Sequence, residues 1–415
     1  MRTGAVVTAI AVMLSGALSA ARAADYSASG NVKLEANHDS NLLMTEDEQS
    51  AAGYTASTRL GFGAATETTS ADADLSLIAR RFNISGFDSD DQQANVTFEP
   101  RAERTTFGLG LRGIRDSTLT SELLDSGRVG SAGRHEQFYV SPYLDYQLSE
   151  RDQLTLSATY TESSYDDSGF IGYDYWSSAL QWSHLLGERS KGFAQLTYSD
   201  YSSDDIASAF GMSYSTQSTQ WGLQLGGEYF IAESLSLSLL AGRAQNQTEP
   251  SLSDPNGFCL FAASLGFISG VPICTLQESD SDVTTFEGSV NWTSLRNSLS
   301  AKALRQTQPS SAGYLQTSEQ LDLSWEYRFS EFGSVTAKAT VGNNEVSEKY
   351  PTSRINPSRE YQYATLTYAH RVAEAWSLQC SYQYRAQKYD ERDRIDSQVV
   401  ALALVWQPRQ RHWSR

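Results

Sequence analysis

Residues 320–329 read Gln320-Leu321-Asp322-Leu323-Ser324-Trp325-Glu326-Tyr327-Arg328-Phe329. Leu321, Leu323, Trp325, Tyr327 and Phe329 alternate with Gln320, Asp322, Ser324, Glu326 and Arg328. In an extended chain successive side chains leave opposite faces, so this stretch presents one apolar face and one charged face. The split recurs in Gln137–Leu148, where Phe138, Val140, Pro142, Leu144 and Tyr146 alternate with Gln137, Tyr139, Ser141, Tyr143, Asp145 and Gln147, and again in Ser234–Ala241. About eighteen such stretches run from Tyr26 to Trp406, and none is apolar enough for a membrane-spanning helix.

Each stretch runs about ten residues before a turn, the length a tilted strand needs to cross a bilayer, whereas strands of soluble sandwiches and propellers run about five or six. A β-solenoid would show a fixed short period and stacked Gly or Asn ladders, which are missing here. The expected fold is therefore all-β: a transmembrane antiparallel β-barrel of about eighteen strands, about sixteen as the alternative, with short periplasmic turns and long extracellular loops. The alternative count arises because the segments around Ala94–Phe98 and Val283–Trp292 are weakly patterned.

The N-terminus supports an exported chain. Arg2 precedes an apolar run, Ala5–Leu18, too short to span comfortably, and Ala21-Arg22-Ala23 supplies a small-x-small cleavage pattern. Residues 1–23 read as a signal peptide, 24–408 as an outer-membrane barrel and 409–415 as a basic periplasmic tail. The tail carries Arg409, Arg411 and Arg415; solvation and contact with a periplasmic partner are both open to it. The net charge of −17 and the negative mean hydropathy argue against a bundle of apolar helices.

Turns near Leu148–Asp152, Leu186–Ser190, Ile231–Ser234, Phe329–Gly333 and Val372–Trp376 are short and each carries a glutamate or its neighbour in a polar turn, which marks the periplasmic side. The long connections lie near 38–52, 83–90, 117–133, 166–172, 203–215, 248–281, 308–316, 347–358 and 389–393. An Arg or Lys facing lipid at the midplane costs about 2–4 kcal/mol. Arg59, Arg112, Lys302, Arg328 and Lys338 are therefore expected in the lumen. The same parity places Lys33, Glu35, Asp74, Arg80, Asp145, Glu228, Glu287, Asp322 and Glu326 there, beside Tyr139, Tyr143, Phe193 and Tyr363. Trp182, Tyr229, Phe329, Trp376 and Trp406 are expected in an inner aromatic girdle, and Tyr160, Trp176 and Trp221 in an outer one. The final strand ends on the aromatic Trp406, as signals for the barrel-assembly machinery commonly do.

Cys259 and Cys274 lie in the longest outer loop. A disulfide closing about fifteen residues would stabilise it by on the order of 3 kcal/mol, and the exported compartment permits one. The intervening Leu260, Phe261, Leu265, Phe267, Ile268, Val271 and Ile273 are apolar for a surface loop, which suggests either an inward fold narrowing the channel or a hairpin or helix packed on the rim. Cys380 shares parity with Leu378 and Tyr382 and should face lipid.

Acidic residues crowd the outer connections: Asp88, Asp90 and Asp91; Asp116, Glu122 and Asp125; Asp166 and Asp167; Asp204 and Asp205; Asp280 and Asp282. Three roles suit them: holding divalent cations against lipopolysaccharide, repelling anions at the mouth, or plain loop solubility. His38, His135, His184, His370 and His412 are scattered, no Ser, His and acid set can be assembled, and Ser183 and His184 should point to opposite faces. No cofactor or metal motif and no basic nucleic-acid patch occurs, so neither an enzyme nor a nucleic-acid partner is expected.

Arg80-Arg81-Phe82, the run Asp116-Ser117-Thr118-Leu119-Thr120-Ser121-Glu122-Leu123-Leu124-Asp125-Ser126-Gly127, Ser141-Pro142 and Leu148-Ser149-Glu150-Arg151 resemble the porin-like outer-membrane barrels encoded with exopolysaccharide and exosortase (PEP-CTERM-type) loci of Gram-negative bacteria. The similarity of layout extends over nearly the whole mature chain; the Cys259–Cys274 loop is not part of it. The resemblance implies an outer-membrane pore for a polysaccharide, working beside a periplasmic polysaccharide-export protein. Tyr139, Tyr143, Tyr363, Arg112, Asp322, Glu326 and Arg328 are the candidate lumen contacts, set against wall packing and ion pairing as their alternative role. A general diffusion porin or small-solute uptake channel shares the fold. A closed structural or adhesive barrel and an outer-membrane hydrolase stand behind these. The expected location is the outer membrane, among lipid and lipopolysaccharide.

Overall fold

A computed structural model describes residues 24–127, 133–167, 169–207, 213–253, 278–346, 358–389 and 393–414. Residues 1–23, read above as a signal peptide, and the Cys259–Cys274 segment lie outside the described residues.

Eighteen strands cross in succession and close on themselves. They are β1 (Asp25–Asp39), β2 (Ala51–Ala65), β3 (Thr69–Phe82), β4 (Ser89–Pro100), β5 (Thr105–Ser117), β6 (Arg134–Gln147), β7 (Asp152–Tyr165), β8 (Tyr173–Gly187), β9 (Ser190–Ser203), β11 (Ser213–Ala232), β12 (Leu235–Ser253), β13 (Ser279–Thr293), β14 (Asn297–Pro309), β15 (Leu315–Arg328), β16 (Gly333–Val346), β17 (Arg359–Ala373), β18 (Trp376–Tyr389) and β19 (Ile395–Trp406). Two short strands, β10 (Ile206–Ala207) and β20 (Arg411–Ser414), and one helix, α1 (Thr118–Asp125), complete the described elements. Every neighbouring pair is antiparallel, and β1 pairs with β19 from Val32–Trp406 to Asp39–Val399, which removes the free edges. Both weakly patterned segments are strands, β4 and β13, so the count is eighteen rather than sixteen.

The dyad rule holds along the wall. Leu34, Phe62, Leu77, Leu196, Leu225, Leu239, Leu323 and Leu402 are exposed on the outer surface, and Cys380 is exposed there too. The ladders pair lumen residues with lumen residues: Arg59 with Ser76 and Asn31, Arg112 with Asn95 and Tyr139, Asp322 with Lys302 and Thr340. Trp182, Tyr229, Phe329, Trp376 and Trp406 are exposed at the turn-proximal ends, and Trp376 and Trp406 are neighbours 6.4 Å apart. Trp176, Trp221 and Tyr54 are exposed toward the other rim. An apolar belt bounded by two rows of amphipathic rings matches a bilayer and its interfaces, so this barrel belongs in the outer membrane. Among the described residues no helix is long and apolar enough to cross a membrane.

Two departures from the expected layout matter. The tail beyond Trp406 is not simply solvated. Pro408 lacks an N–H and interrupts β19; four residues, Gln407–Gln410, then face three, Ser29–Asn31, and the chain resumes as β20 against Asp25–Ala28. Trp413 stacks on Tyr26 at 5.8 Å, and Arg409 pairs with Glu374.

The second departure is at the outer end of β14. Its ladder with β13 stops at Phe286–Arg305, although β13 continues to Ser279 and β14 to Pro309. Beyond that point β14 bends inward and bonds across the lumen instead. Gln220 on β11 donates to Thr307 Oγ1 at 3.0 Å, Tyr201 on β9 donates to the Ser310 carbonyl, and Ile171 N–H donates to the Ser311 carbonyl at 2.7 Å. The β14–β15 tip turns at Ser310–Gly313, with Gly313 in the left-handed region at φ 87°.

Candidate functional site

Strand parity builds the wall of the lumen, and two of its arcs contrast. On β1–β5 it carries charge. Lys33 pairs with Glu35, Arg59 with Asp74 at 3.1 Å, and Arg80 with Asp91, while Arg112 lies over the Tyr139 ring at 5.6 Å. On β7–β11 the inner positions are chiefly Gln, Ser, Thr and Tyr, interrupted by Ala179, Phe193 and Gly222, with Lys191 and Glu228 facing each other near the periplasmic turns.

Three segments fold inward from the outer rim. The first is α1. Ser117 caps its start by accepting from Leu119 N–H, and Gly127, at φ 69°, ends it by donating to the Glu122 carbonyl at 2.7 Å. The C-terminal carbonyls of α1, which no helical N–H satisfies, are taken by the opposite wall. Arg359 on β17 donates to the Leu123 carbonyl at 3.1 Å, as Tyr363 does at 3.3 Å; Gln387 on β18 donates to the Gly127 carbonyl at 3.1 Å and Tyr389 to that of Ser126 at 3.2 Å. The second segment follows β1. Leu42, Leu43 and Met44 pack with Leu119, Leu123, Ala51 and Ile395 in a small buried apolar cluster, and Gln387 donates to the Met44 carbonyl as well. The third is the β14–β15 tip, whose Ser311 hydroxyl donates to Glu122 Oε2 at 2.6 Å.

Glu122 joins these parts. It is 1% exposed and accepts from Ser126, Ser311 and the Tyr165 hydroxyl. This corrects its reading as a solvated or cation-holding outer residue: three donors take up the carboxylate inside the plug. Two neighbours in the acidic runs, Asp91 and Asp116, are also taken up, whereas Asp90 is paired but exposed. Asp91 is tied to Arg80 and Thr120, Asp90 to Arg81, and Asp116 to His135. Among the described residues no cluster of ligands fit for a metal ion occurs.

A Ser, His and acid arrangement does form, contrary to the sequence reading. His135 Nδ1 is 2.8 Å from Asp116 Oδ1, and Ser163 Oγ is 3.0 Å from His135 Nε2. Adjacent strands β5, β6 and β7 bring the three together at one level, a register that motif spacing does not reveal. The Ser163 side chain is 2% exposed and the Tyr165 ring covers the imidazole at 4.7 Å, so no carbonyl has room to approach the hydroxyl. The trio ties the wall together beneath α1.

The predicted contact residues are not gathered at one place. Tyr139 and Arg112 sit together at mid-height, with Tyr139 donating to Gln137. Tyr143 lies nearer the periplasm and donates to Glu99. Asp322 is in the wall, accepting from Gln320 and Thr340, both at 2.7 Å. Glu326 and Arg328 pair with each other at the inner rim at 2.7 Å, where both are well exposed. Tyr363 is engaged in the plug latch. Sequence reasoning missed Glu122 as a plug residue, together with Arg359, Gln387 and Tyr389. Their partners are backbone carbonyls of an inward loop, which no alternation pattern announces.

Beneath the plug are two chambers. One, of about 430 Å³, is lined by Tyr139, Tyr165, Tyr173, Tyr175, Gln137 and Gln316 together with the inward strand end Gln306–Ser311. The other, of about 290 Å³, lies between that strand end and the wall of β7–β13, with Gln195, Thr197, Gln220, Gln224 and Thr285 on its surface beside Glu287 and Arg305, which pair with Lys302 and Glu319. Tyr175, Gln306 and Thr307 belong to both.

No family model matches the chain, and no curated protein does. Among solved structures it is similar to the siderophore receptor PiuA from Acinetobacter baumannii, at 8% identity and a TM-score of 0.47 over 91% of this chain and 82% of that one. It is also similar to Pseudomonas aeruginosa OpdQ, at 9% identity and a TM-score of 0.43 over 92% and 98% of the two chains, and to OccK5 (OpdH) of the same organism, at 12% identity and 0.41 over 93% and 99%. By its closed sheet and outward apolar belt the chain is an outer-membrane β-barrel, and its polar lumen is crossed by a plug of its own loops.

Proposed function

We propose that this barrel is an outer-membrane channel for export of an exopolysaccharide, working with a periplasmic polysaccharide-export protein. The observation that carries the reading is the neutral arc: hydroxyls, carboxamides and tyrosine rings cover the lumen face of β7–β11. A hydrated glycan passing through a pore exchanges its water for many weak hydrogen bonds and ring contacts, each worth about 0.5–1.5 kcal/mol. Strong point charges would hold a passing polymer or its counterions; dispersed weak partners let it move on. The plug supplies the closed state that an export channel needs between uses.

A second reading, a diffusion or uptake channel for small solutes, is favoured by the ion pairs on β1–β5, since opposed charge across an arc creates a transverse field that orders small polar solutes. Deleting the gene and measuring surface polysaccharide separates the two. Loss of surface polymer with its accumulation in the periplasm is the expected result. Unchanged polymer, with the locus expressed, overturns export, and slower solute uptake in the same strain points to the second reading.

A further inference from the structure

The two chambers beneath the plug are separated only by the outer end of β14, which has left its ladder with β13 to lie inside the barrel. Leaving a ladder exposes backbone donors and acceptors; the Tyr201 hydroxyl and the Ile171 N–H supply donors to the Ser310 and Ser311 carbonyls at the tip, and Gln220 holds the Thr307 hydroxyl below them. What it brings into the lumen is Gln306 and Gln308, two carboxamides that face the tyrosines of β6 and β8 across the larger chamber.

The chemistry of the larger chamber is uniform. No Lys, Arg, His or Asp lines it, and its single carboxylate, Glu122, already accepts three hydrogen bonds. At about 430 Å³ it falls within the roughly 300–1,000 Å³ of small-molecule sites. Carboxamides offer a donor and an acceptor on one rigid plane, which matches vicinal hydroxyls, and tyrosine faces match the C–H faces of a pyranose ring. The charged groups of the smaller chamber, Glu287 and Arg305, are each engaged in an ion pair, with Lys302 at 2.7 Å and Glu319 at 2.9 Å, so a bound anion or cation would lose its water without gaining a free countercharge.

We propose that these adjoining chambers form a binding subsite for consecutive residues of an uncharged glycan, with Tyr175 and Gln306 at the junction. The inference rests on the export reading and narrows it to a neutral polymer. The plug then closes directly over the bound segment, since Glu122 and Ser311 belong both to the plug and to the chamber wall.

The test uses the full-length barrel in lipid nanodiscs and in planar bilayers, with four probes: maltohexaose and cellohexaose as neutral oligosaccharides, hexagalacturonate as an anionic one and the glucosamine hexamer as a cationic one. Binding is read by calorimetry and by block of single-channel current. The neutral probes are expected to bind at least about tenfold more tightly than either charged probe, the equivalent of roughly one good hydrogen bond. Q306A and, separately, Y175A are expected to weaken the neutral probes by a similar factor, while R59A on the opposite arc leaves them unchanged. Retention of the folded-barrel gel mobility checks each variant. Equal or tighter binding of a charged probe, or unchanged binding in both Q306A and Y175A, overturns the subsite. That outcome leaves the export reading standing if deletion still abolishes surface polymer. Binding of neutral probes in a strain whose polymer is unaffected by deletion retains the subsite and removes export.

Discussion

The arc formed by β1–β5 and the arc formed by β7–β11 obey the same alternation and face the same water, yet they solve the problem of a polar interior differently. The first uses opposite charges placed on neighbouring strands, as with Arg59 and Asp74, or two apart on one strand, as with Lys33 and Glu35. The second uses neutral groups with no net field. The difference teaches that a lumen is not one surface. On one side the charges satisfy each other, while the other side keeps its hydrogen-bonding capacity for whatever passes.

The contrast can be broken most strongly where charge is buried rather than where it lines the water. Asp39 and Arg385 are both under a tenth exposed and share Ser397, at the outer junction of β1 and β18. R385A leaves a buried carboxylate without its cation and is expected to cost about 3–5 kcal/mol. The measurement is the temperature at which the folded band disappears on a heat-modifiability gel; a midpoint within a degree or two of wild type refutes the claim.

The plug latch comes next. R359A removes the donor to Gln387 Oε1 and one of the two donors to the Leu123 carbonyl, the other being Tyr363, and the buried acceptor left on Gln387 costs about 1–3 kcal/mol. A substitution at Gly127 attacks the same joint from the other side, because an added Cβ would stand 2.3 Å from both Arg359 Nε and Gln387 Oε1 at a positive φ. Both R359A and G127A are expected to raise the open fraction in planar bilayers and to sensitise cells to large hydrophilic antibiotics. Currents as quiet as wild type in both variants would mean that α1 does not depend on β17 and β18 for its position.

Ion selectivity sharpens the comparison itself. Q195K places an unpaired cation on the neutral arc and is expected to shift the zero-current potential toward anions. The double change R59Q with D74N removes a balanced pair from the charged arc and is expected to leave that potential nearly unmoved. Equal shifts from the two would erase the distinction between the arcs. The smallest effect is on stability: R59A breaks a pair whose arginine is 60% exposed, for which about 0–1 kcal/mol is expected, and a loss beyond that would show the charged arc to be structural.

Much of this was legible in the residues. Leu321 to Phe329 and Phe138 to Tyr146 have one arrangement that avoids placing charge in hydrocarbon, and from that follow strand parity, the lumen set, the girdles and, with the weak β4 and β13 accepted, the count of strands. The acidic loop residues were legible only as exposed groups. Glu122 reads as solvated because sequence gives no sign that Tyr165 and Ser311, forty-three and 189 positions away, will reach it. His135, Asp116 and Ser163 looked scattered for the same reason. Tyr139 and Tyr363 both lie on the inner face, where one lines a chamber and the other holds a plug.

By itself the sequence determined which side of every strand meets lipid, because a period of two leaves each residue a choice of two solvents and transfer energy decides between them. Only the tertiary structure decided what fills the interior. The inward bend of β14, the grip of Arg359 on the end of α1 and the chambers between them depend on contacts across the barrel, between residues whose separation along the chain carries no period and whose energies appear only once the wall has closed.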